Sequence, residues 1–362
     1  MKKFSGLIML GIGALTAGCS SVGDGSAEVP VIDLKANFAC PDTGDPNGLF
    51  EVVAALCPAV TDSTLLSHPQ IAGVDGNMIY LHDPQGGLMV FDMMENRCVS
   101  SFNHEGEGPG EYIYIGDAWK SPESDGWTVF DLSGKKIFGY TYDGKFKYEI
   151  QNDSISSLYP CGDGWLAANS GLTNNYQVYW FYSADWAKKG RLDTVLRYKR
   201  NDYSGIVPTR VVCDARTYLV ENDTVYDFSE ETLKSVLAFE SGNEYKGPDI
   251  DEADKKNRMF YKPVFSSNYA MVTSVVQDEK LCSFQIYRLS DGKLLFSTTM
   301  SLEKNRDAVG FPLTLDGKTT VGFPMEYAGA ECFYLLVTSE NMAEINDDDD
   351  TNPAIVKIRI RE

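Results

Sequence analysis

The sequence predicts an all-β fold, a six-bladed β-propeller with blades of about four antiparallel strands, and three observations carry that expectation. Short runs of aromatic and β-branched residues recur from about Asp75 onward, as in Ile79-Tyr80-Leu81, Leu88-Met89-Val90-Phe91-Asp92, Trp127-Thr128-Val129-Phe130-Asp131 and Lys136-Ile137-Phe138-Gly139-Tyr140. One kind of turn separates many of them: Asp75-Gly76-Asn77, Ser133-Gly134-Lys135, Asp143-Gly144-Lys145, Asp291-Gly292-Lys293 and Asp316-Gly317-Lys318. Glycine there tolerates positive φ and its neighbour bonds its own backbone, which closes tight hairpins. Six hairpin-rich units can then be marked, beginning near Gly76, Asp125, Gly162, Arg216, Asn268 and Thr319. Their spacing of about 35 to 55 residues is close to the roughly 40 to 50 of propeller blades.

The elements follow in order. Lys2 and Lys3 precede an apolar stretch from Leu7 to Leu15, too short to span a bilayer, so residues 1–18 read as a signal peptide. Leu15-Thr16-Ala17-Gly18-Cys19 has the apolar, small, small, Cys order of a bacterial lipobox, which makes Cys19 the lipidated first residue of the mature chain. Acyl chains would anchor it without a membrane crossing. Residues 19–27, small and polar through Ser26, form a flexible tether, and residues 28–362 form the propeller. No acidic run follows Cys19, which favours a periplasm-facing position over the cell surface.

Val29-Pro30-Val31-Ile32-Asp33-Leu34 suits an edge strand, because proline lacks a ladder donor. Leu49 to Leu56 is a short helix or a strand, which periodicity alone does not separate. Helix is expected only in loops, at Ser183–Lys188 and Asp251–Arg258. The last strand, Ala354-Ile355-Val356-Lys357-Ile358-Arg359-Ile360, alternates apolar with basic and needs a partner. The strand near Val29 to Leu34 is expected to pair with it in the last blade and close the ring.

Composition excludes some functions. The chain of 362 residues carries a formal charge of −20, and −22 once Lys2 and Lys3 leave with the signal. Such a surface repels phosphate backbones, so a nucleic-acid partner is not expected, and the membrane is met through the lipid alone. Eight cysteines include Cys19, and the other seven (Cys40, Cys57, Cys98, Cys161, Cys213, Cys282, Cys332) are scattered without metal-ligand spacing. Cys40 and Cys57 are the nearest pair for a disulfide; buried thiols acting as small hydrophobes suit most of the rest.

The lipobox, the blade grammar and the loop Glu105-Gly106-Glu107-Gly108-Pro109-Gly110-Glu111-Tyr112 together resemble a family of six-bladed β-propeller lipoproteins of Gram-negative anaerobes, related in shape to NHL-type propellers. Asn352-Pro353 before the closing strand matches that family too. The units from Gly162 to Tyr261 depart from it by their irregularity. The resemblance implies fold and location, not an activity.

Candidate chemistry is sparse. Gly106, Gly108, Pro109, Gly110, Glu111 and Tyr112 are expected to pin an interblade crossing rather than cradle a phosphate, since strand and not helix follows. The run Asp347-Asp348-Asp349-Asp350 lacks the spacing of a calcium loop and reads as a solvated turn, as do Asp249, Asp251, Glu252 and Asp254. Of three histidines, His82 with Asp83, and His104, are the channel candidates. Neither a Gly-x-Ser-x-Gly elbow nor a His-Glu-x-x-His helix occurs. No cofactor is identified, a divalent metal being the one that the alternative below would take.

The aromatic stretch Tyr159, Trp165, Tyr176, Tyr179, Trp180, Phe181, Tyr182 and Trp186 is mostly core, with some rings free to stack on sugars. Two or more exposed rings sharing one face would mark such a use. The chain thus reads as a lipid-anchored binding or scaffold module of the cell envelope, for a glycan, a peptide or a partner protein. The alternative is a metal-assisted hydrolase or lyase working in the central channel.

Overall fold

The computed structural model describes residues 29–361 except 39–41, 62–63, 85–86, 123–124, 170–175, 196–208, 215, 222, 230–231, 244–257, 277–279, 304–308 and 349. Strand Val31–Asp33 (β1) leads into helix Leu34–Phe38 (α1); helix Pro46–Leu49 (α2) leads into strand Phe50–Leu56 (β2). Four-stranded antiparallel sheets follow. The first holds Gln70–Asp75, Met78–Asp83, Gly87–Asp92 and Arg97–Phe102 (β3 to β6). The second holds Ile115–Lys120, Trp127–Asp131, Lys136–Tyr140 and Phe146–Gln151 (β7 to β10), and the third Ser157–Cys161, Gly164–Asn169, Tyr176–Ser183 and Lys188–Val195 (β11 to β14).

Thr209–Cys213, Arg216–Glu221, Thr224–Ser229 and Thr232–Glu240 (β15 to β18) form a further antiparallel unit. Met259–Phe265, Tyr269–Val276, Leu281–Arg288 and Leu294–Ser301 (β19 to β22) form a separate four-stranded sheet. Phe311–Leu315, Lys318–Gly329, Cys332–Val337 and Ala354–Ile360 (β23 to β26) come last, with helix Ser339–Asn346 (α3) between β25 and β26. A two-residue parallel contact, Val212 with Tyr327 and Cys213 with Ala328, joins β15 to β24 and merges those two units, with β1 and β2 at the ends, into one mixed sheet of ten strands. The fold is all-β and propeller-like.

The packing explains the alternation in sequence. Separate hydrophobic cores lie between the first and second sheets (Tyr80, Val90, Trp127, Tyr140), the second and third (Phe130, Ile137, Leu158, Trp165), and the third sheet and β16–β17 (Leu166, Tyr179, Leu219, Phe228). Another joins the first sheet to β24–β26 through Leu81, Phe91, Tyr334 and Ile355. The largest spans β15 to β26 together with Ile32, Leu34 and Phe50. Strands covered on both faces are continuously apolar, as in Leu88 to Phe91.

Turn chemistry follows the expectation at Asp316-Gly317, where φ is +50° and +79°, as a two-residue turn with both central residues left-handed requires. The six marks of the sequence each fall one strand late, in or just after the first hairpin of a unit. Glycine and aspartate announce a turn, not the strand before it.

Three expectations are corrected. The strand at Val29 to Leu34 does not pair with the last strand; β1 runs parallel to β18, Val31 opposite Ala238 and Asp33 opposite Glu240, and Leu34 already begins α1. The partner of β26 is β2, antiparallel, Phe50 opposite Ile360 and Leu56 opposite Ile355. β2 matches the seven residues of β26, whereas β1 has three, and Ile32 and Leu34 are fully buried beside Leu237 and Phe239. Thr43 meanwhile bridges Ser297 on β22, so residues 31–56 touch three units in succession.

Ser183–Lys188 is a tight turn and not a helix: Ser183 N donates to the Ala187 carbonyl and Trp186 stands at φ +68°, outside the helical region. The helix α3 was not foreseen; Thr338 caps its start and Asp347, at φ +55°, ends it, so the acidic run begins as a helix cap. Leu49 to Leu56 resolves as strand from Phe50.

Residues 1–28, Cys40, Asp349 and the acidic segment Asp249 to Asp254 lie outside the described residues. Cys213, Cys282 and Cys332 are buried among apolar side chains, and burial pushes the Cys213 and Cys282 thiols up to about 12. Among the described residues no helix is long and apolar enough to cross a membrane.

Candidate functional site

The first strands of the units converge on a cavity of about 620 Å³. Gln70 and Ile71 come from β3, Asp117 and Trp119 from β7, Tyr159 from β11, Val212 from β15, Lys262 from β19, and Phe323 to Tyr327 from β24. His68 stands at its edge, ahead of β3.

Alternation places Asp117 and Trp119 on one face of β7, and both grip the neighbouring strand. Asp117 Oδ2 accepts from Leu158 N at 2.7 Å, and Trp119 Nε1 donates to the Leu158 carbonyl at 2.6 Å. Those bonds hold the indole beside Tyr159, ring centroids 6.1 Å apart and planes at 50°. Both rings are half-buried and share the cavity wall.

Across the opening, Lys262 Nζ pairs with Glu326 Oε1, joining β19 to β24. His68 and Gln70 are exposed at the mouth. Tyr327 is buried, and burial first, then the Asp214 charge, pushes its phenol well above the ordinary range, so it stays a neutral hydroxyl. The cavity thus offers an aromatic wall and a mixed ring of donors and acceptors.

The residues singled out in sequence lie elsewhere. His82 is 5% exposed on β4, and burial drives its imidazole down to about 4 against the opposing pull of Asp83. Asp83, fully buried, accepts from the backbone N–H groups of Ser67 and His68, each at 2.8 Å, and so holds the entry to β3. Asp131 does the same for the entry to β7, accepting from Ile113 at 3.0 Å and Tyr114 at 3.2 Å. His82, Asp83, Glu105 and Tyr112 surround a smaller cavity of about 230 Å³, with Gln70 shared between the two.

His104 is turned away. Its Nε2 lies 2.7 Å from the Gly144 carbonyl oxygen, and its ring packs against Phe102 and Tyr140. The structure therefore brings His82 and Asp83 together with Glu105 and Tyr112 around the smaller cavity, while His104, bonded to Tyr112 through its backbone, does not line it. Among the described residues no three histidine, cysteine or carboxylate side chains cluster as metal ligands would.

The glycine-rich loop is tied down by its own bonds. Gly108 N donates to Glu111 Oε2 at 2.8 Å, Gly106 N to the Tyr112 carbonyl at 3.0 Å, and Tyr112 Oη to Asn103 Oδ1 at 2.9 Å. Tyr140 Oη reaches the Gly110 carbonyl at 3.0 Å, tying the crossing from β6 to β7 onto β9.

Sequence reasoning missed Gln70, Asp117, Trp119, Lys262 and Glu326. Each lies on the first strand of its unit or on β24. With units marked one strand late, those strands fell ahead of the marks and were not singled out. Their signal was the residue run just before each hairpin turn.

The comparisons place this architecture. A Bacteroides fragilis protein described as exported superposes with a TM-score of 0.67 at 14% identity, covering 92% of this chain and 100% of its own. A member of the DUF4221 family from Bacteroides vulgatus superposes with a TM-score of 0.56 at 11% identity, covering 87% of this chain and 99% of its own. At such identities the likeness is one of fold. No curated protein matches the sequence. Residues 31–360 match the model of the family described as a domain of unknown function, DUF4934, and the chain belongs to that family.

Proposed function

We propose that this chain is a six-bladed β-propeller, held to the envelope through lipidated Cys19 and facing the periplasm, that binds a glycan in the cavity at the meeting point of its first strands. The observation that carries the reading is the lining of that cavity by strands from six successive units. A closed ring is supported by β3 lying beside both β7 and β24, and by a core between the first sheet and β24–β26. β2 beside β26 is the latch.

The glycan reading rests on Trp119 and Tyr159. Two half-buried rings sharing one wall suit the apolar face of a sugar, while Gln70, Asp117, Lys262 and Glu326 supply hydroxyl partners. A rigid ring of strands lowers the ordering cost of binding, since little of the site has to be fixed when the ligand arrives.

The melting temperature of the chain from Ser20 onward, measured against soluble glycans, peptides and divalent metals, tests the reading. Saturation at a hundredfold excess over the dissociation constant raises stability by about 2.7 kcal/mol. A rise with glycans alone supports it. A rise with peptides alone would replace the ligand class, and a rise with metal would favour the hydrolase or lyase. Membrane fractionation of Cys19→Ala tests the anchor: retention in the membrane would overturn it.

A further inference from the structure

The smaller cavity, of about 230 Å³, lies between the first and second sheets and shares only Gln70 with the proposed glycan seat. His82 stands in a cross-strand row with Gln70, Leu88 and Phe102. Residues in such a row share one face, and Leu88 belongs to the core against the second sheet, so the imidazole points from β4 into the space that the cavity occupies. The residue is 5% exposed, yet among the described residues no hydrogen bond reaches its ring; burial, then the Asp83 charge, act on it. A buried polar ring without a partner costs stability, and a ligand group placed against it would offset that cost.

The field in this recess is negative. Glu105 is exposed at its rim. Burial first, then the Glu105 charge, pushes the Tyr112 phenol up to about 12 against the opposing His104 bond, so Tyr112 stays neutral. Asp83, whose oxygens are taken by the Ser67 and His68 N–H groups, still acts on His82 through space. Among the described residues no lysine or arginine lines the cavity.

We propose that this recess takes the free ammonium group of an amino sugar, its N–H bonds shared among the His82 imidazole, the Glu105 carboxylate and the Gln70 amide oxygen. The charges select an ammonium. An anion would meet Glu105 and the Asp83 field, and a neutral hydroxyl would leave the Glu105 charge unanswered. A metal ion would lack ligands, since among the described residues no three suitable side chains cluster. The volume lies below that of ordinary ligand pockets, so it suits one charged edge of a larger ligand. That the ammonium is carried by a sugar rests on the glycan reading of the central cavity, which Gln70 joins to this one.

Isothermal titration of the chain from Ser20 onward with a glucosamine disaccharide and with its fully N-acetylated form, at neutral pH, tests the proposal. The amine form is expected to bind about tenfold or more tightly. Glu105→Gln should erase that preference, and so should His82→Phe, which keeps a ring on the face and removes its nitrogens. Circular dichroism melts confirm that each variant folds, and the exposed Glu105 is the one whose change disturbs the fold least. Tyr159→Ala should weaken both forms alike, which separates the two cavities. No preference for the amine, or a preference that survives Glu105→Gln, overturns the proposal and leaves the glycan reading standing. Full binding of both forms by Tyr159→Ala, with the preference kept, overturns the central seat alone. Binding of Nα-acetyl-lysine amide while neither disaccharide binds would give the recess to a peptide amine and overturn the proposal.

Discussion

Asn352 Nδ2 donates to the Thr64 carbonyl at 2.8 Å across 288 residues of chain. The same amide group reaches the Pro58 and Ala59 carbonyls at 3.1 and 3.2 Å, and its Oδ1 accepts from Leu66 N at 2.9 Å. One buried side chain ahead of β26 therefore satisfies the loop between β2 and β3, next to the pairing of β2 with β26. Asn352→Ala strands those groups and should lower unfolding stability by about 2–4 kcal/mol in urea titration. Asn352→Asp should do nearly as much harm, because it removes the donor and faces carbonyls with a carboxylate.

Gly110 holds the crossing from β6 to β7 at φ +77°, and an added Cβ would come within 3.1 Å of the Phe146 ring. Gly76, at φ +59°, has nothing within 4 Å of its place for a Cβ. Gly76→Ala should therefore cost only the left-handed backbone strain, about 1–2 kcal/mol. Gly110→Ala should cost more by thermal or urea melts; equal costs would show that Phe146 yields freely.

His82 gives the fold a pH dependence. Its folded value of about 4 lies below the ordinary 6.5, so the unfolded chain binds the extra proton between these two. The contribution is complete above about pH 6.5 and is lost as pH falls toward 4, to the extent of roughly 3 kcal/mol. Urea titrations across that window should show stability falling on acidification, with a shallower slope in His82→Gln. An unchanged slope would mean that other groups carry it.

Lys262 and Glu326 separate binding from stability. Their side chains are 47% and 66% exposed, so Lys262→Ala should change stability by less than about 1 kcal/mol. At the mouth of the cavity the same change should alter ligand affinity. A melt and a binding titration on one sample read both.

Much of the architecture was legible because turn chemistry is local. Asp316-Gly317 adopts the backbone its residues favour, and the near-continuous apolar runs of β4, β5, β8 and β9 report strands packed on both faces. Pairing partners were not legible, because edge strands satisfy their ladders with whatever lies alongside. β1 and β2 look alike as short apolar runs, and only burial of Ile32 and Leu34 against Phe239 decides which unit each joins. The candidate site was the least legible part. It is assembled from one or two residues on each of five strands and a run on β24, and histidines drew attention to His82 and His104, which the fold uses for packing and backbone bonds.

The central claim is that ligand enters the cavity lined by Trp119 and Tyr159. Its most direct test is calorimetric titration of wild type, Tyr159→Ala and Lys262→Ala with the glycan that most raises the melting temperature. Binding weakened about tenfold or more in Tyr159→Ala, with the fold intact, is the predicted result, since a stacking ring contributes on the order of 1 kcal/mol or more. Undiminished affinity in both variants would contradict the account and move the glycan to another face of the ring.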